Sequence, residues 1–295
     1  MEIETEVTLA RLTTIGTGGP AAAFARPESV SELEAAIAWA AKRGLEVRTV
    51  GLGSNLLAAD DGVDALVLRL AGDLAAVEVD GELLRAGGGA TNAVCLHRAR
   101  DAGLGGLEFA CAIPGTAGGG VRMNAGAYGS DWSTILVRAL VVSSEGSAWL
   151  TPAELGFEYR HSLVRPDQVV ARVEYRLSPR PVDEIKKQIA ELVARRKATQ
   201  PTNKRTFGSV FKNPPGELGA GRMLELCGLK GHGIGGAVVS PRHANFIENA
   251  GGATSDDCLA LVREAQRRAR EQFGAELEHE VVLLGPLSVE RLDVG

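Results

Sequence analysis

At 295 residues the chain is long enough for about two domains, each with a sizeable buried core. A hydrophobic fraction of 45%, a charged fraction of 23% and a net charge of −5 exclude a disordered polyelectrolyte and argue against general binding to nucleic acid or a membrane surface. With aromatics at 4%, there are too few rings for a single-strand stacking platform. Cys95, Cys111, Cys227 and Cys258 are scattered without a C-x-x-C pair, and read as reduced thiols packed as small apolar residues. The five histidines make no zinc-ligand spacing, so no metal is expected. The acidic start, Met1 to Glu6, does not read as a signal peptide, and no uncharged apolar run approaches ~18 residues. The expected compartment is the cytoplasm.

In chain order, Thr13 to Pro20 is a glycine-rich entry loop. Ser31 and Glu34 read as a capping box opening a helix whose inner face carries Leu33, Ile37 and Ala40, and which Gly44 ends. Leu45 to Val50 reads as a strand running into Gly51-Leu52-Gly53-Ser54-Asn55-Leu56-Leu57, a glycine loop with added polar groups. Ala65 to Leu70 is a strand, and Val77 to Ala86 a hairpin through Asp80-Gly81, a type I′ dipeptide. Thr91 to Ala102 is a helix stopped at Gly103. Strands follow at 135–142 and 168–177, separated by a turn at Glu145-Gly146 and a short helix begun by Thr151-Pro152. Ser178-Pro179-Arg180-Pro181 is the expected domain boundary. Beyond it lie a helix with Ile185, Ile189, Leu192 and Val193 inward, a short helix within 219–227, a long helix over 254–273 and a last strand over 278–284. The long helix turns Leu261, Val262, Ala265, Ala269 and Phe273 inward, and its arginines (Arg263, Arg267, Arg268, Arg270) form a solvated face.

The stretch Gly115 to Gly129 organises the chain. Six of its fifteen residues are glycine. Glycine costs conformational entropy, but it lets successive N–H groups point into one concavity with no Cβ in the way, as a diphosphate requires. A set of tight turns is the competing reading. The common nucleotide motifs fail: the one full G-x-G-x-x-G, at Gly231, Gly233 and Gly236, leads into the strand-like Ala237-Val238-Val239 rather than a helix, and there is no P-loop or nucleophile elbow.

Five runs in order carry a resemblance: Gly51 to Leu57; Ile113-Pro114-Gly115-Thr116-Ala117-Gly118-Gly119 leading into Met123-Asn124-Ala125-Gly126-Ala127-Tyr128-Gly129; Tyr159-Arg160-His161-Ser162; Gly208-Ser209-Val210-Phe211-Lys212-Asn213-Pro214; and Glu278-His279-Glu280-Val281. The chain resembles the UDP-N-acetylenolpyruvoylglucosamine reductases from about Thr13 to Leu284, and the short stretch from Tyr159 to Lys197 is similar to their smaller subtype. The resemblance implies an α+β fold. Residues 1–178 would form an FAD-binding domain of the vanillyl-alcohol-oxidase type, with lobes at about 1–70 and 71–178, and residues 179–295 a substrate domain. It implies FAD bound through Gly51, Gly53, Ser54, Asn55, Leu56, Ile113, Pro114, Gly115, Thr116, Gly118, Gly119, Asn124, Ala125 and Gly126, with NADPH as reductant. Reduced FAD would pass a hydride to the enolpyruvyl group of the UDP-sugar, Ser209 would supply the proton, and Arg160 and Glu280 would steady the carboxylate. Lys212 and Asn213 would contact the substrate diphosphate, and Tyr159 the substrate or nicotinamide. Glu280 would need to be protonated, or turned to Arg160 or a water, because two ionised carboxylates repel. The protein would act as a monomer in peptidoglycan precursor synthesis. Another FAD-dependent oxidase on the same domain, or a non-catalytic nucleotide-sugar binding module, are the alternatives.

Overall fold

A computed structural model of the chain describes residues 2–289. The fold is α+β, as expected, and divides into two compact units that are not contiguous in sequence. The first comprises the chain up to Thr5, Ala23–Leu52 and Asp64–Arg196; the second comprises Glu6–Ala22, Gly53–Val63 and the chain from Lys197 on. The proline-rich stretch at 178–181 lies inside the first unit: Ser178–Pro179 pairs with Leu104–Gly105. The helix that follows belongs to that unit as far as Arg196.

Two five-stranded sheets dominate this part of the fold. In one, the strands Ile3–Glu4, Pro20–Ala25, Val63–Leu68 and Glu46–Thr49 lie in that order, the last two parallel, and Val7–Thr8 also pairs with Pro20–Ala25. Helix α1 (Val30–Ala41) buries Leu33, Ala36, Ile37 and Ala40. The other sheet is antiparallel, in the order Gly146–Leu150, Leu136–Ser143, Val169–Arg176, Leu83–Gly87, Val77–Asp80. Alternation sends Ala139, Val141, Val173 and Tyr175 into one core with helices α2 (Asn92–Asp101) and α3 (Ala117–Met123). On the opposite face Arg138, Glu174 and Arg85 stand in cross-strand register. Arg138 grips the Glu174 carboxylate through two hydrogen bonds, at 2.7 and 3.0 Å, and Arg85 stands 3.5 Å from it. Helices α4 (Pro152–Leu155) and α5 (Val182–Thr199) complete the helices of this part of the chain; α4 is capped by Thr151, as expected, and the Glu154 side chain completes a capping box.

In the second unit the antiparallel strands Thr206–Ser209, Phe246–Asn249, Ala237–Val239 and Gly233–Ile234 lie in that order. Helices α6 (Ala220–Leu226) and α7 (Ser255–Phe273) pack on them through Met223, Leu224, Leu261, Val262, Ala265 and Ala269. Leu56–Ala58 pairs in parallel with Val282–Leu284. Thr254 caps α7 and Gly274 ends it at φ +64°. Three of its arginines lie in ion pairs, Arg267 and Arg268 with Glu264 and Arg270 with Glu276, while Arg263 donates to the Ser288 carbonyl.

Three local readings are corrected. Helix α1 starts at Ser29, whose Oγ accepts from the Glu32 N–H at 3.2 Å, so Ser31 lies inside the helix. Two S-x-x-E frames overlap here, and the earlier one wins because Glu32 also accepts from the Glu28 N–H. The hairpin turns through Gly81-Glu82, since Asp80 pairs with Leu83. Only the first central residue, Gly81, needs positive φ (+58°). The organising glycine segment is a two-turn helix, α3, over half its length.

Trp132 is buried and donates to the Tyr175 hydroxyl at 2.6 Å. A Cβ at Gly120 would lie 2.6 Å from its ring, which cannot move away. Gly120→Ala is therefore expected to lower the urea-unfolding free energy by about 1 kcal/mol or more, overpacking outweighing the gain in helix propensity. The hydrogen bond from Arg138, then its charge and that of Arg85, hold the Glu174 carboxyl below its ordinary range despite partial burial. Stability from this ladder is then fully present above the ordinary glutamate range and is lost as pH falls through the depressed value. Glu174→Gln should cost about 1 kcal/mol at neutral pH, and the difference from the parent protein should shrink in acid.

Candidate functional site

Residues 113–119 in the first unit are held from behind by residues 88–92. Asn92 donates from its backbone to the Gly115 carbonyl (3.0 Å) and from Nδ2 to the Ile113 carbonyl (3.1 Å). The N–H groups of Ala117 and Gly118 donate to the carbonyls of Ala90 and Gly88, and that of Gly120 to the Thr116 carbonyl. Gly118 therefore serves close packing, not donation: its Cβ would stand 2.9 Å from the Val170 carbonyl. Gly119 differs. Its N–H reaches only the Thr116 hydroxyl, at 3.4 Å, and a Cβ there would meet that same oxygen alone. Gly51 comes to the same hydroxyl, 2.7 Å from where its Cβ would be. Gly51, Thr116 and Gly119 thus share an open backbone surface with a hydroxyl and a loosely held amide. That donor set fits a phosphate diester, and so the diphosphate of FAD.

Asn124 ends α3 in the left-handed region (φ +38°) and works structurally. Its Nδ2 donates to the Glu158 carbonyl at 2.9 Å, and its Oδ1 accepts from the Ser133 N–H at 3.1 Å. This pins the turn in which Glu158 bridges to His161. Arg160 lies in that turn at φ +56°, rare for a residue with a side chain. Its guanidinium donates to the Gly126 carbonyl and stacks over the half-exposed Tyr159 ring at 4.9 Å. Gly126 must lack a side chain, because a Cβ would fall 2.9 Å from the guanidinium and 2.6 Å from the Ser130 carbonyl. Ala125 donates to the Gly120 carbonyl. Tyr128 donates its hydroxyl to the Leu192 carbonyl at 3.1 Å and lies beneath Arg195.

In the second unit, Gly53 (φ +66°) passes so close to the Leu12 carbonyl that a Cβ would stand 1.9 Å from it. Ser54 turns its carbonyl towards Gly208. Asn55 donates from Nδ2 to the Glu280 carbonyl (3.1 Å) and accepts from the Val282 N–H (3.0 Å), and Leu56 begins the paired strand. Ser209 ends its strand opposite Phe246. The next residue, Val210, accepts the Glu280 N–H at 2.7 Å. Ser209 and Glu280 are thereby brought onto adjacent segments, with Asn55 holding the far side of Glu280. Lys212 pairs with Glu278 at 2.6 Å, and Asn213 Oδ1 accepts from the Ala220 N–H at the start of α6. Sequence reasoning missed two buried amides, Asn92 and Asn245; a lone amide within an apolar run was the only signal for the latter. Cys95 and Cys258 are buried thiols, each pushed up to about 12 by desolvation, and are not nucleophiles.

Family models match two parts of the chain: an FAD binding domain over residues 21–151, and the C-terminal domain of UDP-N-acetylenolpyruvoylglucosamine reductase over residues 200–284. The UDP-N-acetylenolpyruvoylglucosamine reductase of Anaeromyxobacter dehalogenans is 44% identical over 96% of this chain and 86% of its own length. That of Bacillus licheniformis is 40% identical over 94% of this chain and 92% of its own. The crystal structure of the Thermus caldophilus UDP-N-acetylenolpyruvylglucosamine reductase superposes with a TM-score of 0.84 at 38% identity, covering 96% of this chain and all of that one. Among the described residues no helix is long and apolar enough to cross a membrane. With relatives this similar over nearly its whole length, the chain belongs to the UDP-N-acetylenolpyruvoylglucosamine reductase family.

Proposed function

We propose that this protein reduces the enolpyruvyl group of UDP-N-acetylenolpyruvoylglucosamine to give UDP-N-acetylmuramate for peptidoglycan, as a cytoplasmic monomer using FAD and NADPH. The observation that supports the reading is the hydrogen bond from the Glu280 N–H to the Val210 carbonyl, which joins the segment carrying the proposed proton donor Ser209 to the segment carrying Glu280.

FAD, once reduced by NADPH, supplies the hydride. The chain's residues do the rest. Thr116 and the Gly119 amide hold phosphate oxygens, Gly51 and Gly118 let the backbone approach closely, and Ile113, Pro114 and Gly115 carry that surface. Gly53, Ser54, Asn55 and Leu56 form the second proposed loop, in which Asn55 also fixes Glu280. Asn124, Ala125 and Gly126 shape the backbone that carries Arg160. Arg160 presents a planar fork suited to the substrate carboxylate, where charge grows as the hydride adds. Ser209 delivers the proton to the carbon beside that carboxylate, and Glu280 steadies the same end. Lys212, next to Glu278, and Asn213, at the start of α6, are assigned the substrate diphosphate, and Tyr159 an exposed ring face against nicotinamide or sugar.

The purified protein should be yellow and bleach with NADPH, and NADPH consumption should depend on the enolpyruvyl sugar. Consumption independent of that sugar would point to another flavoenzyme, and protein that cannot be loaded with FAD to a mere binding module. Ser209→Ala should still be reduced by NADPH, but its reoxidation by the sugar should slow by about 10²–10⁴-fold; unchanged turnover would remove Ser209 from its role. A paired substitution tests the cradle. Gly118→Ala should destabilise the apoprotein, because its Cβ meets two carbonyl oxygens at about 3 Å. Gly119→Ala should leave apoprotein stability nearly unchanged and weaken FAD binding at least about tenfold, measured by flavin fluorescence titration.

A further inference from the structure

We infer that Asn245, to which nothing above assigns a function, is the positioning residue that sets Ser209 and Glu280 in register for proton delivery; this rests on the reading of Ser209 as the donor. Asn245 is only 5% exposed. It acts as a peptide group turned sideways. Its Oδ1 accepts from the Phe211 N–H at 2.9 Å and its Nδ2 donates to the Phe211 carbonyl at 2.9 Å. Its own carbonyl accepts from the Val210 N–H at 2.9 Å. Three bonds therefore fix the two residues that follow Ser209. Their other sides carry Glu280: the Val210 carbonyl takes the Glu280 N–H, Phe211 bridges to His279, and the Lys212 N–H donates to the Glu278 carbonyl.

The regular ladder cannot do this. The register between Thr206–Ser209 and Phe246–Asn249 shifts between Thr206 and Ser209, with Gly208 at φ +84°, so the strand is bulged just before Ser209 and its regular pairing ends at Ser209 opposite Phe246. Beyond Ser209 the side chain of Asn245 replaces the missing backbone partners. Only a primary amide supplies one donor and one acceptor at that spacing. Aspartate keeps the acceptor but sets a second acceptor against the Phe211 carbonyl, and alanine leaves both Phe211 groups unpaired. The region is buried in the second unit, so water cannot easily stand in.

The test compares Asn245→Asp, Asn245→Ala and Asn245→Ser with Ser209→Ala in the two half-reactions of the holoenzyme, followed by flavin absorbance in H2O and D2O. Positioning predicts bound FAD, flavin reduction by NADPH within about twofold of the parent, and reoxidation by the enolpyruvyl UDP-sugar slowed roughly 10–100-fold, with a larger solvent isotope effect. Asn245→Ser, which can bond one Phe211 group, should fall between the parent and Asn245→Ala. Should Asn245→Ala not accumulate as folded protein, the near-isosteric Asn245→Asp gives the same comparison. A lower melting temperature with both half-reactions unchanged, or both slowed equally, overturns the inference. If Ser209→Ala blocks reoxidation and the Asn245 variants do not slow it, the inference alone fails. If Ser209→Ala reoxidises normally, the assignment of Ser209 fails and takes the inference with it.

Discussion

Irregular backbone can be buried only where its N–H and C=O groups find partners. In the first unit the chain through Ile113–Gly118 is neither strand nor free loop; it leans on residues 88–92, which accept from Ala117 and Gly118 and donate to Ile113 and Gly115. Glycine at 118 lets these two irregular segments meet. Once most of the amides are committed inward, Gly119 is left as the loosely engaged one. Rigidity and openness thus arise from the same division of hydrogen bonds. An amide aimed at a ligand gains most when its neighbours cannot relax, since little reorganisation remains to be met on binding.

Much of the secondary structure was legible because its signals are local. The cap at Thr151, helix starts at Thr91 and Thr254, glycines after helices, and apolar faces with helical or alternating spacing appear where the residues place them. The misreadings are also local. Ser29 and Ser31 offer competing caps two residues apart, and propensity alone does not rank them. Ala117–Met123 reads as loop because three glycines weaken its helical pattern, yet Ala117 and Val121 bury in the core and Gly120 fits beneath Trp132. Tertiary packing outweighs propensity there. The rejected G-x-G-x-x-G did lead into the strand Ala237–Val239: Gly233 pairs in a hairpin, and Gly236 abuts the backbone at Gly252 and Ala253.

The site was less legible, for a physical reason. Arg160, Ser209 and Glu280 are unremarkable residue types taken singly, and only their order within family runs marked them. What holds them in place lies far off in sequence: Asn124 for the turn bearing Arg160, and Asn55 and Asn245 for Glu280 and Ser209. Each is an asparagine whose side chain substitutes for a missing peptide partner. Composition cannot report such a role, because the partners are backbone groups, which every sequence possesses. The division into units was hidden likewise: segments 6–22 and 53–63 join the second unit through pairings such as Leu56–Ala58 with Val282–Leu284, more than two hundred residues apart.

The conformation of Arg160 adds a separate argument. A left-handed backbone at a residue with a Cβ costs about 1–2 kcal/mol, a cost glycine would avoid. Nearby turns at Gly129 and Gly156 use glycine for the same purpose. At position 160 the chain keeps arginine, and the surroundings are shaped to it: Gly126 leaves room for the guanidinium and accepts its hydrogen bond, Tyr159 lies beneath it, and Asn124 holds the turn. A surface arginine that served only solubility would have no such supports. Strain kept in place by several independent contacts is reasonable only where the side chain itself is needed, and this supports assigning the substrate carboxylate to Arg160.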